Sequence, residues 1–426
     1  MKTLLRFLRI SLILPYVLVT AGPMVWRLSW RNVWRNPRRT AVVISAVAVG
    51  IAGVVLTMAV NFGMVFQMVE TAIETELGHV QIHGQGFDQN PDITMRLIDG
   101  GRAAAAVLGD IPLVTTWARR IRGEGFLMSP RSSAGVRVVG IEPGREPGVS
   151  IIAASIRAGR YLGEESRRIL LGERLARRLE VDVGDKVVLS VQDLTGDITG
   201  EALRVGGIYK TSMGGLDSST IYMRLDEGQA LYALGDAVSE IVIRVDDIDE
   251  LAAIQAKLAR RLPDVEVRTW EELRPVLVYM VDVFDQQAVV VYVAIFIAMA
   301  FGIANVLLMA VFDRIREIGI MMAIGLNPDK LVAMVLVESI IVTMLGLFIG
   351  FAGALAGAWA LRDGIDLSAF AAGLEFLGVG PRLVPVLRWQ DFTVPMLFAV
   401  LTAMLASLWP AVRASGFRPA EAVRRL

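Results

Sequence analysis

His79 and His83 are the only histidines in a 426-residue chain that has no cysteine, so any metal or proton chemistry would start from them. They stand in Gly78-His79-Val80-Gln81-Ile82-His83, where apolar and polar residues alternate as in a strand. Val80 and Ile82 then face one way and His79, Gln81 and His83 the other. Two residues four apart on a strand lie well separated along it, and no third ligand is near. A solvated strand face is therefore expected, with no metal site. The lack of cysteine excludes disulfides, thiolate zinc and Cys nucleophiles. Ser218 and Ser219 follow Asp217 without an adjoining base, so a loop is expected there and not a nucleophile. Gly206-Gly207 and Gly214-Gly215 read as turns, since neither opens a helix after a strand with phosphate-cradle spacing. None of the five lysines (Lys2, Lys186, Lys210, Lys257, Lys330) follows a glycine, so there is no P-loop. The chain is read as a non-enzyme, with no catalytic, cofactor or metal residues of its own. Its 43 basic and 43 acidic residues balance, which removes nucleic acid as a partner.

With little chemistry on offer, the apolar residues, 54% of the chain, set the organisation. Three stretches are long enough to cross about 30 Å of hydrocarbon: Thr40 to Phe66, Ala288 to Phe312, and Leu331 to Leu361. Gly346, Gly350, Gly353 and Gly357 in the third are spaced as a helix-packing seam. A fourth, Phe392 to Val412, contains Pro395 and Pro410 near its ends, which membrane helices tolerate. The 39 residues before the first span carry Lys2, Arg6, Arg9, Arg27, Arg31, Arg35, Arg38 and Arg39 and no acid. By the positive-inside rule this end is cytoplasmic. Four spans bring the tail 413–426, with Arg413, Arg418, Arg424 and Arg425, to the same side, together with the loop 313–330. The large segment 67–287 and the short loop 362–391 lie on the opposite face.

Ile10 to Val25, through a basic start, an apolar run and Val19-Thr20-Ala21, imitates a secretory signal peptide. Cleavage there would leave the arginines of 27–39 outside, against the charge rule. The preferred reading is an interfacial or partly inserted helix on the cytoplasmic leaflet, within the segment 1–39. Trp26, Trp30 and Trp34 share one face of it as interface anchors, with Arg31, Arg35, Arg38 and Arg39 beside them.

The external segment reads as α+β. Strands are expected near 78–83, 136–141, 186–191, 203–209, 220–223 and 240–245, and helices near 172–179 and 248–262. A Gly-punctuated, strand-rich block, 159–236, suggests an inserted lobe. The fold class is thus an α-helical membrane protein with four transmembrane helices plus a large α+β extracytoplasmic domain.

The loop from Asp313 to Pro328 reads as a short amphiphilic helix stopped by glycine and proline, a knob for a separate ATPase if the protein does driven work. Glu338, about two turns from the cytoplasmic start of its span, is expected to pair with a cation from the loop or the N-terminal segment. No second intramembrane acid or histidine continues a proton relay from it.

The motifs Trp30-Arg31-Asn32-Val33-Trp34-Arg35-Asn36-Pro37-Arg38-Arg39-Thr40, Arg314-Ile315-Arg316-Glu317-Ile318-Gly319 with Ala323-Ile324-Gly325, and Pro410-Ala411 through Arg418-Pro419-Ala420-Glu421-Ala422 carry a family likeness. So do Gly78 to His83, Leu171-Gly172-Glu173-Arg174-Leu175-Ala176 and Val183-Gly184-Asp185. The chain resembles the FtsX-like, MacB-type ABC transporter permeases, nearest the lipoprotein-releasing LolC/LolE branch. That resemblance implies a multi-pass protein of the bacterial inner membrane with a two-lobed periplasmic domain. It implies a dimer with a second permease copy or paralogue, sitting on cytoplasmic ABC ATPase subunits that hold ATP and Mg. Mechanotransmission would link those ATPases to the periplasmic lobes. The coupling residues would be Arg314, Arg316, Glu317, Gly319, Met322 and Gly325. Membrane lipids and a periplasmic chaperone or lipoprotein complete the expected partners. Two functions fit: extraction or export of an amphiphile such as a lipoprotein, or a non-transporting scaffold that activates a periplasmic partner such as a cell-wall hydrolase.

Overall fold

The computed structural model describes residues 22–87, 93–111, 113–370, 373–374 and 378–415. Residues 10–21 of the expected interfacial segment, and Arg418, Arg424 and Arg425 of the tail, lie outside the described residues. The chain divides into two compact units. The first comprises Met1–Gly63, Asp282–Ile365 and Val384–Leu426; the second comprises Met64–Val281 and Asp366–Leu383.

The first unit is helical: α1 (Pro23–Arg35), α2 (Pro37–Ala72), α3 (Pro275–Asp313), α4 (Ile315–Ala323), α5 (Pro328–Ala360) and α6 (Gln390–Ser415). Among the described residues, α2, α3, α5 and α6 are long and apolar enough to cross a membrane. α2 and α3 overrun the spans 40–66 and 288–312 read from hydropathy. With 36 and 39 residues they are roughly 55 Å long, against about 30 Å of hydrocarbon. Charges such as Glu70 and Asp285 end the apolar run without ending the helix. α1, α2, α3 and α5 each open on a proline, at the position where a missing N–H is not felt. α6 stays helical through Pro395 and Pro410.

The glycine seam of α5 lies against α2. A Cβ on Gly346 would come within 2.6 Å of Val47 Cγ1, and one on Gly350 within 2.8 Å of the Ala48 carbonyl. Only glycine permits that approach. α6 joins through Ser339, whose hydroxyl donates to the Ala403 carbonyl at 3.3 Å, and through Phe398, which stacks on Tyr292 and Phe296 of α3.

The second unit is a mixed ten-stranded sheet. Its strands are β1 (Val80–Gly84), β2 (Val114–Met128), β3 (Ser133–Ile141), β4 (Ile156–Gly159), β5 (Arg168–Gly172), β6 (Lys186–Gln192), β7 (Ile198–Tyr209), β8 (Thr220–Arg224), β9 (Glu240–Val245) and β10 (Val265–Thr269). The order is β10-β1-β9-β2-β3-β8-β5-β7-β4, and β6 pairs with both β2 and β7. The pairings β2·β3, β3·β8, β8·β5, β5·β7, β7·β6 and β6·β2 close on themselves. Six strands therefore form a ring, packed with fully buried Leu127, Val138, Ile169, Leu171, Leu189, Val205 and Ile221. β10, β1 and β9 continue from β2 as an open sheet. β2 serves both lobes: Val114 to Arg120 pair with β9, and Gly125 to Met128 with β6. The ring lobe is thus not confined to 159–236, because it borrows β2 and β3 from before that block.

Several local expectations change. The polar row of β1 is not solvated: His79, Gln81 and His83 are all buried. β1 is held between β10 and β9, and each side chain of the polar row finds an internal hydrogen-bond partner. Val245 N–H donates to His79 Nδ1 at 3.0 Å, Gln81 Nε2 donates to the Leu77 carbonyl at 2.8 Å, and His83 Nε2 lies 2.8 Å from Gln81 Oε1. Gly206-Gly207 is not a turn but lies inside β7, where a Cβ on Gly207 would meet the Arg160 carbonyl at 2.5 Å. Gly214-Gly215 opens the short helix Gly214–Ser219, in which both serine hydroxyls donate to the Gly215 carbonyl. The stretch 362–391 is more than a loop. Its residues 366–383 belong to the second unit, where Gln67 Nε2 donates to the Arg382 carbonyl at 3.1 Å.

Candidate functional site

α4 begins immediately after the break that ends α3 at Asp313. Its first turn carries Glu317, whose negative charge suits the N-terminal end of a helix dipole. Gly325 closes it with φ of 102°, a conformation open to glycine. Pro328 does not stop α4; it starts α5, with the Asn327 side chain accepting the Asp329 N–H at 3.2 Å as the cap.

Ion pairs link this segment to α1 and the start of α2. Arg35 makes a two-point contact with Glu317, and Arg39 lies 2.6 Å from Asp313. Arg314 donates to the Asn32 carbonyl at 3.2 Å and approaches Glu338 at 3.6 Å. Asn32, Arg35, Arg314, Glu317 and Glu338 border a cavity of about 360 Å³ whose remaining wall is apolar. The Arg35 guanidinium holds the Glu317 carboxyl below its usual range. Ser29, buried on α1, donates to the Met334 carbonyl at 3.0 Å, so α1 is seated on α5 as well.

The expected coupling residues divide between two faces. Arg314, Glu317 and buried Gly319 turn toward the chain's own helices, and Met322 is half-buried against the same apolar cluster. Arg316 is exposed, and Gly325 lies exposed at the turn. The exposed apolar side chains are Ile324, strongly so at 83%, and Ile320 at 43%, which sequence reasoning did not single out. Their four-residue spacing was the available signal. On α1, Trp26, Trp30 and Trp34 stand about half exposed, in the row next to buried Val25, Ser29 and Val33. Arg31 and Arg38 are exposed with them.

The domain carries a second charged constellation that local sequence patterns did not reveal. At the π-turn Ile73–Leu77 that follows α2, the Glu76 carboxylate receives Arg122 at 3.2 Å, Arg137 at 2.9 Å and Arg274 at 3.0 Å. Arg274 immediately precedes α3, so one carboxylate ties together the segments that follow α2 and lead into α3. Beside it, fully buried Arg120 holds Glu146 through Nε and Nη2 at 3.1 and 2.5 Å, and donates to the Glu76 carbonyl at 2.8 Å. Burial opposes the Arg120 charge, but Glu146 and Glu240 outweigh it and keep the guanidinium protonated. Arg122 Nε reaches Glu240 at 2.9 Å. Among the described residues no group of three or more His, Cys, Asp or Glu could hold a metal ion.

Comparison with known proteins covers both units. Residues 40–261 match the model of the MacB-like periplasmic core domain, and residues 289–419 that of the FtsX-like permease C-terminal domain. The lipoprotein-releasing system transmembrane protein LolC of Xylella fastidiosa is 26% identical over 339 residues, which is 76% of this chain and 81% of that protein. The corresponding LolE of Haemophilus influenzae is 26% identical over 309 residues, 67% of this chain and 71% of the relative. A crystal structure of the periplasmic region of MacB from Actinobacillus actinomycetemcomitans covers 49% of this chain and 97% of its own, with 15% identity and a TM-score of 0.35.

Proposed function

The chain belongs to the family of ABC transporter permeases that join a MacB-like periplasmic core domain to an FtsX-like membrane domain, and from that premise we propose that it relays the work of a separate ATPase to its periplasmic domain in order to extract or export an amphiphile. It is an inner-membrane, multi-pass permease of the LolC/LolE/MacB type with its large domain in the periplasm. ATP and Mg are held by the partner ATPase, and a second permease copy or paralogue completes the membrane unit.

The observation that carries this reading is the two-sided α4. One side is fixed to α1 and α5 by Glu317 and Ile318, while Arg316, Ile320 and Ile324 face outward. An exposed apolar pair beside a cation offers the ATPase an anchor with a polar rim. α3 leads into this segment and α5 leads out of it, so displacement of α4 pulls directly on two spanning helices. The names of the LolC and LolE relatives favour a lipidated protein as the amphiphile.

The test is reconstitution of the full chain with its ATPase and a lipidated protein in proteoliposomes. ATP-dependent release of the lipidated protein is expected. Ile324→Asp, which places an unpaired charge in the apolar contact, should abolish ATPase association. Intact association would remove α4 as the docking element. ATP turnover without release of any lipidated protein, accompanied by activation of a periplasmic hydrolase, would replace transport with signalling.

A further inference from the structure

α1 shows its environment two different chemistries. Val25, Ser29 and Val33 are buried, whereas Trp26, Trp30 and Trp34 are 47%, 50% and 50% exposed. Arg27, Arg31 and Arg38 stand exposed beside them. Among the described residues none of these three arginines has an acidic partner, and the first acid in the chain is Glu70. A groove of about 820 Å³ runs along this face, bounded by Trp26, Arg27, Trp30, Arg31 and Ile341 of α5. Indole rings interleaved with uncompensated guanidinium groups match a surface that is apolar below and anionic above, and a phospholipid leaflet bearing anionic headgroups has that order.

The same helix holds the coupling segment. Arg35, one turn beyond Arg31, closes on Glu317, and both side chains are about half exposed, at 54% and 42%. An exposed pair of this kind contributes little net stability, so a competing anion of ordinary strength can open it. We propose that anionic phospholipid bound on the Trp–Arg face of α1 competes with Glu317 for Arg35, so that the charge of the cytoplasmic leaflet sets how tightly α4 is held. This deepens the reading of α4 as the ATPase-facing element and adds a regulator to it: the lipid headgroup. Arg314 with Glu338 sits farther inside, at 15% and 14% exposure, and with Arg39–Asp313 keeps the segment attached when the outer pair opens.

The chain has no native cysteine, so the full protein can be spin-labelled at Met24→Cys and Ile324→Cys and its label distance measured in nanodiscs without ATPase or cargo. In pure phosphatidylcholine a narrow distribution is expected. In an equimolar mixture with phosphatidylglycerol a second, longer population should appear. Glu317→Gln should show that population already in phosphatidylcholine and lose the lipid response. Removing Arg27, Arg31 and Arg38 should weaken the response about fivefold per arginine. Brominated phosphatidylglycerol should quench the tryptophans. Identical distributions in the two lipids, no quenching, or a Glu317→Gln variant indistinguishable from wild type would each overturn the proposal. Failure of ATPase docking at Ile324 would leave these readouts unchanged, so the two ideas fail separately.

Discussion

The two units use the same two-point arginine–carboxylate contact in opposite settings. Arg120 and Glu146 meet in the domain interior, at 2% and 0% side-chain exposure, whereas Arg35 and Glu317 meet on the rim of the helical unit at 54% and 42%. Inside, loss of one partner strands a charge without water, so the pair tolerates no alternative. On the rim, water and salt replace either partner at small cost. The chemistry is shared, but the first pair locks its surroundings and the second leaves them adjustable.

The largest effect that could break this contrast is expected from Glu146→Ala. It takes the nearest carboxylate from buried Arg120, leaving only Glu240 at 3.7 Å, and should destabilise the domain by about 3–5 kcal/mol, read as a lowered urea midpoint of Trp117 fluorescence. A change no larger than that of a surface mutant would show that water reaches the pair and that the contrast is false.

Next comes Gly346→Val, in which the new side chain meets Val47 across the α2–α5 seam. Overpacking should cost about 1–3 kcal/mol, seen as a lower melting temperature in detergent and weaker cross-linking between cysteines placed on α2 and α5. Unchanged behaviour would mean that the seam is looser than its glycines indicate.

Arg35→Ala sharpens the comparison from the other side. Stability should change little, as for other exposed ion pairs, while ATP-driven release drops, because α4 loses its outermost tie to α1. Equal loss of stability and activity would place Arg35 with Arg120.

The smallest expected effect is a pH dependence. Burial, and then the nearby Arg244 guanidinium, lower the His79 pKa below 6.5, and Nδ1 already accepts the Val245 N–H. Below pH 6.5 the unfolded chain binds a proton that the folded domain refuses. This contribution to stability is therefore present above that pH and is lost as pH falls through it. Urea midpoints should decline from neutral to mildly acid pH, with a shallower slope in His79→Asn.

Periodicity exposed the parts of the structure whose environment is uniform along the chain. The spanning helices, β3, β6, β8 and β9 and the helix before β10 all follow from apolar runs or alternation. β2 escaped because Arg119, Arg120, Arg122 and Glu124 interrupt its alternation, and because the buried Arg120 is paid for by Glu146, Glu76 and Glu240. No local window contains those partners: Arg274 lies 198 residues from Glu76. The polar row of β1 misled for the same reason, since its satisfying atoms come from Leu77 and Val245. At the cytoplasmic end the motif located the segment, but only coordinates show that Glu317 turns inward while Ile324 turns out.

The double duty of β2 limits how such domains can be exchanged between relatives. A graft cut at residues 159 and 236 would carry β5 to β8 away from β2 and β3, leaving unpaired backbone edges on both donor and recipient, which invite aggregation. Cuts near Met64 and Val281 keep every strand of the ring with its neighbours. Chimeras that test which lobe chooses the cargo should therefore swap the whole block and vary the ring only by side-chain substitution.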